Sequence, residues 1–174
     1  MIFLIGSGKH SGVVESSLKK LKIKFINISK KSGIKNDKII EKKFLKGKKN
    51  SYLHIAIGDN KTREKVYFFY KKKNYKFKSI FDTTAIISKK VSIGEGVYVG
   101  PGVIINNNSK IKDNCIINSG CIVEHDTKIG SHVHMAPGSK IMGSTTIGKR
   151  NFIGAGAIIN NNLKIVDNCT IGSG

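Results

Sequence analysis

From Ile87 onward every sixth residue is aliphatic: Ile87, Ile93, Val99, Ile105, Ile111, Ile117, Val123, Ile129, Met135, Ile141, Ile147, Ile153, Ile159, Ile165 and Ile171. A helix repeats every ~3.6 residues and a strand every ~2, so neither explains this spacing. A period of six predicts a parallel β-helix, each repeat supplying one short strand and a corner. Three strands close one coil, so residues eighteen apart stack about 4.8 Å apart. The predicted coils are 87–104, 105–122, 123–140 and 141–158, with a fragment from 159. A small or apolar residue precedes each aliphatic by two places, as at Val97, Val103, Cys115, Cys121 and Ala157. Glycine follows it directly at 94, 100, 130, 148, 154 and 172, and asparagine at 106, 118 and 160. These following positions are expected to carry the positive φ of the corners.

The first half has a different rhythm. Ile2 to Ile5 is an apolar run that ends in Gly6-Ser7-Gly8-Lys9-His10-Ser11-Gly12. Val13, Val14, Leu18 and Leu21 then follow at helical spacing. Ile23 to Ile28 predicts a second strand, residues 35–46 a helix in a Lys-rich stretch, and Tyr52 to Ile57 a third strand. Thr62 is the expected cap of a helix carrying Val66, Phe69 and Tyr70, and Phe77 to Phe81 a fourth strand. Strands alternating with helices imply a parallel α/β sheet.

Charge divides the chain unevenly. Residues 1–85 hold 22 Lys and Arg against 6 Asp and Glu, and residues 86–174 hold 9 against 5. Nucleic-acid binding is disfavoured, because only Arg63 and Arg150 among 31 basic residues carry the forked guanidinium suited to phosphates and guanine. Much of the Lys excess fits coding bias on a solvated surface, with small polyanions such as nucleotides and CoA as the remaining ligands. Cys115, Cys121 and Cys169 fall at the small inward position and predict core filler without a disulfide. No apolar run reaches the ~20 residues a membrane helix needs, and the opening MIFLIG lacks signal-peptide features, so a cytoplasmic protein is expected.

Two places carry candidate chemistry. The 6–12 loop offers bare backbone amides at a helix N-terminus, with Lys9 and His10 adjacent, as a phosphate cradle does. It is a poor NAD fingerprint: the third glycine position is Ser11, and no acidic residue ends the second strand. In the β-helix, one corner column reads Asn106-Asn107-Asn108, Glu124-His125-Asp126, Met142-Gly143-Ser144 and Asn160-Asn161-Asn162. This register sets Gly143 above His125, leaving open space beside the imidazole and an available N–H. His125 suits a general base and the Gly143 amide an oxyanion donor, with Asp126 or Glu124 orienting the ring. His132 is expected to be exposed. A zinc site is not expected, because residues 82–98 hold no histidine to complete a three-His set.

The glycine loop, the segment Ala-Ile-Gly-Asp-Asn at 56–60 and the stretch from Val123 to Gly138 together resemble the bacterial sugar acetyltransferases. These include the bacillosamine-pathway N-acetyltransferases and the sialic acid O-acetyltransferases. The resemblance implies a Rossmann-like nucleotide-sugar domain over 1–82 and a left-handed β-helix acyltransferase domain over 83–174. It implies His125 as general base and Asp126 as its partner. His134, Gly143 and Ala155 would contact acetyl-CoA. Gly6, Ser7, Gly8, Lys9, His10, Asp59 and Asn60 would line the nucleotide-sugar pocket, with Asn118 near the acceptor. It further implies a homotrimer with the acyl site between neighbouring β-helices, and a closing segment beyond the mid-coil stop at Ile171-Gly-Ser-Gly. Where the family often carries an acidic pair near the nucleobase, this chain has Ser29-Lys30-Lys31. The expected activity is N-acetylation of a nucleotide-linked amino sugar by direct transfer in a ternary complex. The alternatives are O-acetylation of a sialic acid or related sugar, and a non-catalytic trimeric scaffold or sugar-binding module.

Overall fold

The computed structural model describes residues 1–29, 40–47 and 50–174. Its N-terminal unit is a four-stranded parallel sheet of β1 (Ile2–Ile5), β2 (Phe25–Asn27), β3 (Tyr52–Ile55) and β4 (Lys76–Phe77), in the order β2-β1-β3-β4. All four residues of β1 are buried, as both faces of a covered parallel strand require. Helix α1 (Lys9–Lys20) follows β1, and helix α2 (Asn60–Lys71) follows β3. The cap of α2 is Asp59 rather than Thr62: its Oδ1 accepts from the Thr62 N–H at 2.8 Å. A carboxylate at that position also meets the positive end of the helix dipole.

The expected second strand shortens to Phe25–Asn27, because Ile28 and Ser29 already turn and Ser29 Oγ accepts from the Gly6 N–H at 3.0 Å. Of the helix expected over 35–46, residues 35–39 lie outside the described residues, and Glu41–Leu45 forms a π-helical turn. The expected fourth strand divides. Lys76–Phe77 pairs with β3, whereas β5 (Ile80–Phe81) pairs with Tyr98–Val99 and starts the solenoid. Ser79 Oγ spans the break, donating to Gly94 O and accepting from the Val97 N–H.

The solenoid is a left-handed β-helix of about five turns with three parallel faces of two-residue strands. Every register is eighteen residues, as in Ile111↔Ile129 and Val123↔Ile141. The sixth-position aliphatics from Val99 to Ile153 point inward and are essentially inaccessible. Cys115, Cys121, Ser109, Thr127 and Thr145 fill the small inward position. Ser109 Oγ donates to Glu124 O at 2.7 Å, so that buried hydroxyl is satisfied within the stack.

The corners differ from expectation. Positive φ falls three residues after the aliphatic, at Gly96, Gly102, Asn108, Asn114, Gly120, Asp126, His132, Gly138, Ser144, Arg150, Gly156, Asn162 and Asn168. The glycines directly after the aliphatic serve close approach instead. A Cβ on Gly130 would stand 2.7 Å from the Gly148 carbonyl carbon in the next coil, and one on Gly154 would stand 2.5 Å from that of Gly172.

The two units share a core. Ile2, Leu4, Val14, Leu18 and Ala56 pack against Ile80, Tyr98 and Ile116 on the outer face of one solenoid sheet. Ser17 Oγ donates to Asp82 Oδ2 at 2.6 Å and lies 3.0 Å from the Tyr98 hydroxyl, so the polar end of the buried tyrosine is also paired.

Candidate active site

His125 sits at the corner between the strands Ile122–Val123 and Lys128–Ile129. The predicted column forms: Asp126 N donates to Asn107 O at 3.0 Å, Ser144 N to His125 O at 2.9 Å, and Asn162 N to Gly143 O at 3.1 Å. The His125 Nδ1 lies 2.9 Å from Asp126 Oδ2. A carboxylate there places the ring proton on Nδ1 and leaves Nε2 as the basic nitrogen. Asp126 is the partner, not Glu124, whose Oε2 accepts from Asn106 Nδ2 at 3.0 Å. Bonds from His125 and then Asn108 hold the Asp126 carboxyl below its ordinary range, so it is ionised at neutral pH. The imidazole is 60% exposed and can meet a ligand.

The place of a side chain on Gly143 is taken by the imidazole itself, and the open space expected beside the ring is the adjoining cavity. A Cβ on Gly143 would lie 2.8 Å from both Cε1 and Nε2 of His125. Glycine is therefore required for the ring to lie against the next coil. An adjoining cavity of about 430 Å³ is lined by Glu124, His125, Met142, Gly143, Ser144 and Asn160 to Asn162.

The second site follows from sheet topology. With the order β2-β1-β3-β4, the connections from β1 and β3 leave in opposite directions, which opens a crevice at the carboxyl ends of these strands. Gly6 and Gly58 lie on its two sides. Gly6 adopts φ +140°, and a Cβ there would strike Ala56 O, so the loop needs glycine on both counts. Ser7, Gly8 and Lys9 are exposed at the start of α1, whose first turn holds no acidic residue.

His10 turns inward from this loop. It packs edge-on to Tyr98 at 5.3 Å and lies 6.2 Å from the His134 ring. Burial, then His54, His134 and Arg63, push it down to about 3, so it is neutral and gives a phosphate no charge. Asp59 is occupied as the α2 cap, while Asn60 Nδ2 donates to Asn151 O at 3.0 Å. His134 Nδ1 lies 3.1 Å from Gly58 O, and burial lowers this imidazole to about 4. Gly58 to Lys61, His134, Arg150, Phe152, Asn168 and Thr170 line a cavity of about 620 Å³.

The predicted residues thus fall into two groups. Asp59, Asn60 and His134 line the crevice cavity, with Gly6 against Ala56 and His10 beside Gly58 and His134, whereas none of Gly6 to His10 is among the lining residues. His125, Asp126 and Gly143 form the corner, and its cavity shares no lining residue with the crevice cavity. Ala155 lies at the previous corner, where Gly174 N donates to its carbonyl at 2.9 Å. Asn118 is half-buried, with Oδ1 accepting from the Ser119 N–H at 2.9 Å. His132, expected to be exposed, is 3% exposed and lies 2.9 Å from Asn114 Nδ2. Helix α2 covers its corner, setting Tyr67 T-shaped at 5.3 Å and Phe68 tilted at 5.4 Å against the ring. Arg63, unassigned from sequence, is buried at this junction.

Residues 1–68 match the PglD N-terminal domain and residues 108–143 the bacterial transferase hexapeptide (six repeats). No curated protein matches the chain. The structure of PerB from Caulobacter crescentus, solved with CoA and GDP-perosamine, is 30% identical over 99% of this chain and 86% of that one, with a TM-score of 0.88. The chain belongs to the bacterial sugar acetyltransferases with a left-handed β-helix. It is an acetyl-CoA-dependent sugar acetyltransferase, with acetyl-CoA as co-substrate. A histidine-to-alanine variant of GDP-perosamine N-acetyl transferase from Caulobacter crescentus, also with CoA and GDP-perosamine, is 29% identical over 99% of this chain and 86% of that one, with a TM-score of 0.89. The acetyltransferase domain of PglB from Neisseria gonorrhoeae, solved with acetyl coenzyme A, shares the fold at 23% identity, covering 99% and 88% of the two chains with a TM-score of 0.87. Among the described residues no helix of this acetyltransferase is long and apolar enough to cross a membrane.

Proposed function

We propose that this acetyltransferase acetylates the amino group of a nucleotide-linked amino sugar by direct transfer in a ternary complex. The observation that carries the mechanism is the His125–Asp126 pair, with its ring held against Gly143. His125 Nε2 takes a proton from the acceptor amine as the nitrogen bonds to the thioester carbonyl carbon. The C–S bond then breaks, and the CoA thiolate leaves and takes up a proton. Asp126 stabilises the imidazolium formed on the way, and the Gly143 amide stands beside the ring to meet the developing oxyanion. No cysteine lines the cavity beside His125: Cys115 and Cys121 are buried in the solenoid core, and the part-buried Cys169 lies outside that lining. The exposed glycine loop and Lys9 suit a diphosphate. The two Caulobacter relatives solved with GDP-perosamine support this substrate class.

A homotrimer accounts for the separation of the two groups. The solenoid face between the Ala155 and Gly143 corners carries outward Ile86, Ile104, Ile122, Lys140 and Ile158, and Ile86 and Ile158 are 65% and 59% exposed. Packing this column, apolar but for Lys140, between copies would bring the Gly143 corner of one protomer toward the Ala155 corner of its partner, around one acetyl-CoA. The test is acetyl-CoA turnover, read as free thiol, with a panel of GDP-, UDP- and CMP-linked amino sugars and free sialic acid. Turnover on sialic acid alone would favour O-acetylation. Replacing His125→Ala is expected to reduce turnover about 10²–10⁴-fold; a loss below about threefold would remove it as the base.

A further inference from the structure

The two arginines of this chain, set among 29 lysines, lie at one place: the junction of α2 with the solenoid. Arg63 is 1% exposed, and its guanidinium donates in three directions. Nε reaches Asn114 O at 3.0 Å. Nη1 reaches Ile57 O at 3.2 Å and Gly58 O at 2.9 Å. Nη2 reaches Asn60 Oδ1 at 2.7 Å, His132 O at 2.9 Å and Val133 O at 3.4 Å. Burial lowers the group only to about 10, so it remains cationic at neutral pH. Its acceptors are backbone carbonyls and one amide oxygen rather than a carboxylate.

Those acceptors belong to two bodies. Ile57, Gly58 and Asn60 form the crevice loop, whereas Asn114, His132 and Val133 belong to successive solenoid coils. Asn60 extends the contact one coil further through Asn151 O, and His134 closes it from below through Gly58 O. We infer that Arg63 is a positioning residue for the acceptor: its guanidinium fixes the Gly58–Asn60 loop against the solenoid and so sets the shape of the crevice cavity. A lysine cannot replace it, because three donors on one atom do not reach acceptors spread around a planar fork.

This rests on the proposal that the crevice takes a nucleotide-linked amino sugar. The experiment compares Arg63→Lys with Tyr67→Phe. The latter residue lies on the same helix and donates to Glu95 Oε1 at 2.6 Å, away from the loop. Arg63→Lys should raise the acceptor KM about tenfold, with acetyl-CoA KM and kcat within about twofold, because ground-state positioning is lost while the His125 corner is intact. Tyr67→Phe should lower the melting temperature and leave both KM values unchanged. Should Arg63→Lys not fold, Asn60→Ser cuts the side-chain link to the loop while leaving Arg63 in place, and the same shift in acceptor KM is expected. An unchanged acceptor KM in the folded variant, or equal rises in both KM values, overturns the inference. A wild-type enzyme that acetylates no nucleotide-linked amino sugar overturns the substrate proposal instead.

Discussion

Gly143→Ala tests the corner with a single methyl group. The new Cβ would stand 2.8 Å from His125 Cε1 and Nε2 and 3.3 Å from Nδ1. Ordinary contacts between such atoms are about 3.5–4.0 Å, so the ring must retreat by roughly 0.7–1 Å. The backbone at 143 is not in the left-handed region, so alanine adds no main-chain strain. The coil bonds on either side, Ser144 N to His125 O and Asn162 N to Gly143 O, can persist. What yields is the 60% exposed imidazole, which swings outward and lengthens its 2.9 Å contact with Asp126. Misplacing a catalytic group by about 1 Å costs up to ~10²-fold in rate. We therefore expect kcat to fall about 10- to 100-fold, or roughly 1.4–2.7 kcal/mol of barrier. Thermal unfolding should shift by no more than about 2 °C, since the displaced ring moves into solvent. Steady-state CoA release and a melting curve on the same preparation read both quantities. A kcat within twofold of wild type would show that ring placement against the next coil does not matter.

Three further outcomes follow from buried groups. Gly130→Ala drives a Cβ into the Gly148 backbone and should lose ~1–3 kcal/mol or more of stability by thermal or urea unfolding; an unchanged midpoint would refute the close-stacking role of this glycine. His54 is fully buried and lowered by burial to about 4, so the unfolded chain binds more protons between about pH 6.5 and 4. Stability should accordingly be complete above pH 6.5 and fall as the pH drops toward 4, with His54 contributing about 3 kcal/mol; a flat urea midpoint across that range would contradict it. In a native-state thiol titration Cys169 should react first, while Cys115, pushed up to about 12 by burial, and the buried Cys121 should wait for unfolding.

The solenoid was legible because its period is enforced at every inward position and no insertion interrupts it. The His125–Gly143 stacking followed from the same register. The glycine at the next position was read for the wrong reason: glycine answers both to positive φ and to close approach, and the letters alone do not separate them. The column at Asn108, Asp126, Ser144 and Asn162 shows that left-handed corners here tolerate polar side chains, whereas Gly130 and Gly154 tolerate no side chain at all. The inward turn of His10, the burial of His132 and the role of Arg63 were not legible. Each depends on how α2 and the sheet lie over the solenoid, a tertiary fact without periodicity. The one available signal was compositional: one of two arginines in a chain that otherwise uses lysine.

Helix α2 meets the solenoid at evenly spaced heights: Asn60 at Asn151, Arg63 at His132 and Asn114, and Tyr67 at Glu95. It works as a gauge laid against a ruled edge. An extra wind inserted between residues 95 and 151 would move the marks apart and strip the gauge of its upper or lower hold, however well that wind stacked. A wind added above Asn168 would leave every mark in place. Growth of this solenoid is therefore open at one end only, while the stretch beside the helix keeps a fixed count.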